Sequence, residues 1–214
     1  MFQTEKLKGF LEKFKVVMEG GHENLGIPVL EPFVSEHLDI DLRSKKLFSA
    51  KGYLENLRID GLSNYTVKRV DFPLDGVKAN VKIVFHEIKI EARYNMTGTF
   101  LDKDSFHGCG DLALRIERLK VKADLQLEIK EKRLYVSNLE LRTKVREFDC
   151  NISELYVNDD LSADISDTIT KEAPNFLEEN QNRISRFVSK IVKNLINDIL
   201  KKHTLINLLD MIVG

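Results

Sequence analysis

Five histidines and two cysteines are the side chains of this 214-residue chain whose chemistry could reach beyond packing. His22, His37, His86, His107 and His203 are scattered, and no two stand at metal-ligand spacing. His107 lies two residues from Cys109, as a thiol nucleophile and its base would require. A turn histidine beside a structural cysteine explains the same pair more simply. Asp159-Asp160 reads as a solvated loop before a helix, and His86-Glu87 as a wet position at a strand irregularity. There is no Gly-x-Ser-x-Gly, no phosphate-cradling glycine loop and no His-Glu-x-x-His. The expectation is a non-enzyme with no catalytic residues, no metal and no cofactor.

Cys109 and Cys150 form an even pair, and Asn64, Asn95 and Asn151 each open an Asn-x-Ser/Thr sequon. Together they favour an extracellular, disulfide-bonded glycoprotein. The stretch 2–14 is charged throughout and is not a signal peptide, so the chain reads as a mature one, with a cytosolic protein as the alternative. A hairpin closing at 129–133 sets Cys150 opposite residues near Ala113. A Cys109–Cys150 bridge therefore needs bulges or a returning loop to bring the Cα atoms within about 4.4–6.8 Å. The other possibility is two free thiols in a reducing compartment.

Thirty-three cationic and 34 anionic side chains leave a net charge of −1. Nothing global drives the chain to nucleic acid, and no apolar run is long enough to span a membrane. The local cluster 130–133 fits a solvated hairpin tip. A monomer is expected.

What must position any site is first of all the stretch 174–209. Its apolar residues recur three and four apart: Ile184, Phe187, Val188, Ile191, Val192, Leu195, Ile196, Ile199 and Leu200. Adjacent pairs are apolar together, so the stripe exceeds what a surface helix needs. Pro174 suits the first turn. A helix over 175–202 would be a rod of about 40 Å. Ser162 is a candidate N-cap for a short preceding helix that Ile165 and Ile169 begin and Pro174 interrupts.

Upstream, Leu7, Phe10, Leu11, Phe14 and Val17 share one helical face that ends at Gly20-Gly21. Two prolines in 25–33 force an extended crossing. Strands are expected over 48–61 and 65–72. Three longer strand signals then change parity midway. Val77, Ala79, Val81, Ile83 and Phe85 give way to Ile88, Ile90, Ala92, Tyr94 and Met96 at His86-Glu87. Leu112, Leu114 and Ile116 give way to Leu119 through Ile129 at Glu117-Arg118, and Leu134 and Val136 give way to Leu139 and Leu141 at Ser137-Asn138. A parity change without a break calls for a bulge, and bulged antiparallel strands curl. Polar turns, including one at 102–105 with Gly108 and Gly110, make the order a meander. A sheet curling around a helix could be solid or could hold an apolar tunnel.

Several stretches then point to a family. Residues 26–33, GIPVLEPF, resemble the Pro-x-Leu-x-Pro opening of the insect takeout and haemolymph juvenile-hormone-binding proteins. Residues 57–67, LRIDGLSNYTV, and 90–98, IEARYNMTG, are similar to two of their strands, Gly108-Cys109-Gly110 to a small-residue turn, and 176–180, FLEEN, to the head of their long helix. The resemblance covers nearly the whole chain. It departs at the N-terminus, where residues 1–33 lack the family's cysteine pair, which puts a hormone-specific gate at that end in question.

The resemblance implies an α+β tubular lipid-binding super-roll: a long C-terminal helix wrapped by a strongly curved, bulged antiparallel sheet. It implies one domain over 1–214, with a helix at 1–19, the sheet at 46–158 and helices at 161–213. It also implies a secreted, haemolymph-like carrier of a hydrophobic small molecule or lipid, such as a terpenoid or fatty acid. The expected ligand wall is Phe85, Ile90, Tyr94, Leu125 and Leu127 from the strands, with Ile184, Phe187, Val188, Ile191 and Leu195 from the helix. Tyr94 or Tyr53 would supply a polar contact. The alternative is an interaction or innate-recognition protein of the same fold with a packed interior, working through exposed apolar residues at 205–213.

Overall fold

A computed structural model of the chain describes residues 2–23, 26–44, 48–71, 78–100, 104–131, 133–157, 160–161, 171, 175, 178–179 and 181–201. The side chains of 2–4, 6, 42–44, 48, 100, 160–161, 183, 184, 187, 191, 195 and 199 lie outside that description. Outside it altogether are Ser162, Ile165, Ile169, Pro174, Phe176, Leu177, His203 and the tail 205–213, for which the expectations above stand as stated.

Two strands form the spine. β4 (Lys78–Phe100) and β5 (Asp104–Lys130) pair antiparallel from Lys78↔Gln126 to Phe100↔Asp104. At about 3.3 Å per residue, the 23 residues of β4 span roughly 75 Å of chain. One flank of β4 carries β2 (Phe48–Asp60) along its second half and β3 (Tyr65–Asp71) along its first. The other flank of β5 carries in turn β6 (Arg133–Lys144), β7 (Glu147–Ile152) and β8 (Leu155–Val157). β1 (Phe33–Ser44) pairs outside β2, and β9 (Asp160–Leu161) outside β8. β1 precedes the start at 46 expected for the sheet.

The parity changes are real, and both spine strands run through them unbroken. In β4, Ala79 and Val81 are buried before the change and Ile88, Ala92 and Tyr94 after it. The change in β6 is the bulge anticipated there: Gln126 faces Asn138, Leu127 faces Val136, and Ser137 is the extra residue. The change in the spine is different. Phe85↔Leu119 and Glu87↔Glu117 bracket His86 and Arg118 with no slip of register. Both strands step across together, and Arg118 takes a φ of 50°. No extra residue is needed, because both flanks hand over at this level: β3 to β2 on one side, β6 to β7 on the other. The one-residue shifts lie instead in β2 at Asn56 (φ 52°) and in β3 between Val67 and Arg69.

Two helices pack on the first half of the sheet. α1 (Phe2–Gly20) sets Leu7, Leu11, Phe14 and Met18 against Tyr65, Val67, Val70 and Val81. Gly21 ends it in the left-handed region, φ 68°, donating to the Val17 carbonyl at 2.8 Å. α2 (Gln181–Leu200) packs on β6 and sets Val188, Val192, Ile196 and Leu200 against Val136, Leu139 and Leu141. Its 20 residues make a rod of about 30 Å, shorter than the expected span of 175–202. Asn175, Glu178 and Glu179 are also helical.

Candidate functional site

The face of the sheet that carries the buried residues is apolar from end to end, and it is filled unevenly. The α1 cluster fills it around Val67 and Val81, and the α2 cluster around Val136 and Leu139. A third cluster at the far end joins Ala50, Tyr94, Phe106 and Leu155. Between them runs a cross-strand row, Ile59↔Ile90↔Leu114↔Cys150. Ile59, Ile90, Leu114 and the neighbouring Ile116 are all half-buried and belong to none of the three clusters.

The expected wall residues are strung along this face. Phe85 and Leu125 pack beside the α1 cluster, and Leu125, Leu127 and Val188 belong with the α2 cluster. Ile90 lies in the midspan row and Tyr94 at the far end. The backbone of Ile184, Phe187, Ile191 and Leu195 is in α2, but their side chains lie outside the described ones.

Tyr94 explains two glycines. It is 2% exposed, and its hydroxyl donates to the Ser153 carbonyl at 2.6 Å. A Cβ on Gly108 would lie 2.5 Å from that hydroxyl, and one on Gly110 2.5 Å from the Ser153 Oγ. Gly108 and Gly110 are thus interior residues of β5 that make room for the Tyr94 ring and the 153 loop, and not the turn expected there. Burial pushes the Tyr94 phenol up to about 12. Tyr53, next to Leu54, the partner of Tyr94, points to the opposite face. There it accepts from Asn95 Nδ2 at 3.3 Å and stacks on His37.

The disulfide expectation is overturned. Cys150 faces Leu114, close to the anticipated register, while Cys109 faces Asn95. Five residues of β5 separate Leu114 from Cys109, roughly 17 Å, and an odd separation points them to opposite faces. Cys109 is exposed, Cys150 is buried, and no disulfide joins them. Burial raises the Cys150 thiol to about 11. His107 is likewise a strand residue, stacked on Tyr156 with ring centroids 5.0 Å apart.

His86 Nε2 meets Thr66 Oγ1 at 2.7 Å, and Glu87 joins a surface ion network. Arg115 at 2.6 Å, with Lys89, holds the Glu87 carboxyl below its usual range. Among the described residues no group of His, Cys, Asp and Glu could hold a metal, and no helix is long and apolar enough to cross a membrane. Asn64 and Asn151 are exposed, and Asn95 is half-buried.

Sequence reasoning missed a polar row on α2. Gln181, Ser189, Lys193 and Asn197 recur at multiples of four and bond the outer edge of β6. Gln181 Nε2 donates to the Thr143 carbonyl at 2.9 Å, the Leu141 N–H to Ser189 Oγ at 2.9 Å, and Lys193 Nζ to the Ser137 carbonyl at 2.6 Å. Asn197 bonds both backbone groups of Val136. The helix thereby covers an edge that would otherwise invite pairing. A polar residue every fourth position is the signal, hidden among wide apolar pairs. Sequence reasoning also missed Glu31, whose carboxylate accepts from the Gly61 N–H at 2.8 Å and the Ser63 N–H at 2.7 Å. It ties the 26–33 stretch to the handover between β2 and β3.

Two grooves are lined by described residues. One, of about 480 Å³, lies among Asn56, Glu91, Arg93, Asp111 and Asn151, mostly on the outer face and away from the apolar row. The other, of about 620 Å³, runs between β6 and α2.

The sequence model of the family described as haemolymph juvenile hormone binding protein (JHBP) matches residues 3–210. No curated protein matches the chain in sequence. The crystal structure of Epiphyas postvittana Takeout 1 is similar over 94% of this chain and 93% of that one, with a TM-score of 0.67 at 14% identity. That likeness is one of fold: a large curved antiparallel sheet with a C-terminal helix, as in the tubular lipid-binding architecture. The crystal structure of lipopolysaccharide binding protein aligns over 92% of this chain and 41% of that one, at 13% identity and a TM-score of 0.39, too low to support an argument.

Proposed function

We propose, from the premise that this chain belongs to the haemolymph juvenile hormone binding protein family, that it is a monomeric, non-enzymatic carrier of a hydrophobic small molecule. The observation that carries the reading is the midspan row. Ile59, Ile90, Leu114 and Ile116 form a continuous apolar strip across three strands, left half-buried between filled clusters. Apolar surface in that state gains about 25 cal/mol for every Å² that a ligand covers. A terpenoid or acyl chain laid on the strip would run from Tyr94 towards Phe85 and Leu125. The row Ile184, Phe187, Ile191 and Leu195 of α2 is the natural opposite wall, on its spacing in sequence. Tyr94, committed to Ser153, serves as a packed end and not as a free polar contact.

Secretion is part of the proposal. The family's description places its namesake in haemolymph, and Asn64 and Asn151 are accessible to glycosylation. The cysteines no longer contribute to that argument, because they are not bridged.

The test is binding of a fluorescent apolar probe to delipidated protein, with native mass spectrometry of the protein as purified from its source. Ile90→Glu and Leu114→Glu should each weaken the probe at least about ten-fold, the scale of a buried apolar contact replaced by a charge, with the fold retained by circular dichroism. Unchanged affinity in both variants would move the ligand off the midspan, and no binding by the parent protein would end the carrier reading.

A further inference from the structure

The groove between β6 and α2 is cationic in a chain that is otherwise balanced. Arg142, Arg186, Lys190 and Lys193 line it, with Glu140 as the one acid. Glu140 at 3.2 Å and Asp124 at 3.7 Å answer Arg142. Lys193 Nζ rests on the Ser137 carbonyl, a neutral acceptor, and its charge is only partly answered by Glu128, which Lys130 also engages. Among the described residues Arg186 and Lys190 have no acidic partner. Cross-strand register adds to the field: Arg69↔Lys82↔Lys122↔Arg142 places like charges directly opposite one another across four strands and ends at the groove. Asp71 and Asp124 answer part of that row.

The floor of the groove differs from its rim. It reaches Leu139, a member of the α2 apolar cluster, beside the buried Ser185 and Ser189. Among the described residues, the hydrogen bonds that sew α2 to β6 leave a gap there. They run from Leu141, on Ser189, to Ser137, on Lys193, and pass over Leu139. Arg186 and Lys190, without an acidic partner among the described residues, and the partly answered Lys193 therefore surround a break in the seam whose far side is apolar. A neutral hydrophobic ligand has no use for such a rim. An amphiphile with an anionic head does, since charge-assisted hydrogen bonds to a carboxylate or phosphate are the strong ones.

We propose that the cargo is an anionic amphiphile whose carboxylate or phosphate head sits between Arg186, Lys190 and Lys193 while its tail passes beside Leu139 into the apolar interior. This rests on the carrier reading and narrows its ligand class.

The experiment compares palmitate, hexadecyl phosphate and methyl palmitate as displacers of the apolar probe, near neutral pH at about 0.1 M salt. The tail is shared and the head differs. At least one of the two acids should bind about ten-fold tighter than the ester, a preference typical of a charge-assisted contact, and which acid leads identifies the head chemistry. The preference should collapse in R186Q/K190Q and persist in K89Q, a cation on the outer face of the other half. Equal affinity for all three displacers overturns the proposal and leaves the carrier reading standing. A preference that survives R186Q/K190Q overturns it as well. Failure of all three to displace the probe, or of the probe to bind, overturns both.

Discussion

Asn197 closes both backbone hydrogen bonds of Val136: its Oδ1 accepts the N–H at 2.8 Å, and its Nδ2 donates to the carbonyl at 2.9 Å. Val136 is 1% exposed and adjoins the Ser137 bulge, where the regular ladder is interrupted. An amide side chain is the one group of this length that offers an acceptor and a donor side by side. Asn197→Ala should cost about 2–4 kcal/mol, because two backbone groups lose their partners together. Asn194→Ala, at an exposed position of the same helix, should stay within about 0.5 kcal/mol. Urea denaturation of the two variants checks this, and equal costs would refute the role assigned to Asn197.

Gly108→Ala should destabilise by about 2 kcal/mol or more, through overpacking. The added Cβ would meet the Tyr94 hydroxyl at 2.5 Å and the Glu154 carbonyl at 2.7 Å. Tyr94→Phe removes the first of these obstacles and leaves the second. The double variant should therefore recover part of the Gly108→Ala loss, a non-additivity that a thermal-denaturation cycle measures directly. Strict additivity would mean that Tyr94 is not what the glycine accommodates.

These two sites show what sequence alone could and could not reveal. The Ser137 bulge was legible, because Val136 and Leu139 are both apolar and stand three apart in a period-2 strand. The spine change at His86 and Arg118 was legible as a parity switch but not as a mutual step, since that depends on which strand lies opposite. β1 is hard to see in the sequence although Leu38 and Ile40 alternate with Asp39 and Asp41, because aspartate is a poor strand former and obscures the pattern. Gly108 and Gly110 suggest a turn because glycine usually punctuates the chain, and only the register that sets Tyr94 opposite Gly110 shows the crowding. Of the midspan row, only Ile90 is among the wall residues that periodicity suggests; Leu114 and Ile116 stand in the strand pattern alone, and Ile59 joins them only through the register that pairs it with Ile90. The cationic rim was not legible, because Arg142 and Lys190 are far apart in sequence and meet only when α2 lies along the β6 edge.

Alkaline pH should weaken the fold through two phenols. Tyr65 and Tyr94 are each pushed up to about 12 from an ordinary value of 10, chiefly by burial. Tyr65 also donates its hydroxyl to the Leu11 carbonyl of α1, a bond that only the neutral phenol can make. A folded-state value above the unfolded one means that the native state holds the proton more tightly. The contribution is therefore complete below pH 10 and is lost as pH rises from 10 towards 12. Two units correspond to at most ~2.7 kcal/mol per residue, which partial solvent screening reduces to about 1–2 kcal/mol. Denaturation midpoints should fall across that window, and Tyr65→Phe should flatten the decline. A midpoint level from pH 10 to 12 in the parent protein would contradict the burial assigned to both rings.

Cys109 and Cys150 should behave as two independent thiols. Cys109 lies exposed on the outer face, whereas Cys150 is buried on the inner one beside the midspan row. With its thiol raised to about 11, Cys150 is about one-thousandth thiolate near pH 8, and the thiolate is the reacting species. A thiol reagent should therefore label Cys109 within minutes in native protein and reach Cys150 only after unfolding. Cys109→Ser should abolish the native labelling without changing stability, while Cys150→Ser buries a more polar group in place of the thiol and should cost about 1–3 kcal/mol. Since Cys150 opposes Leu114 on the inner face, a ligand on the midspan should slow its labelling further. Intact mass measured without reductant discriminates the remaining possibility: a species about 2 Da lighter would mean a bridge, and with it a register for β7 other than the one that pairs Cys150 with Leu114.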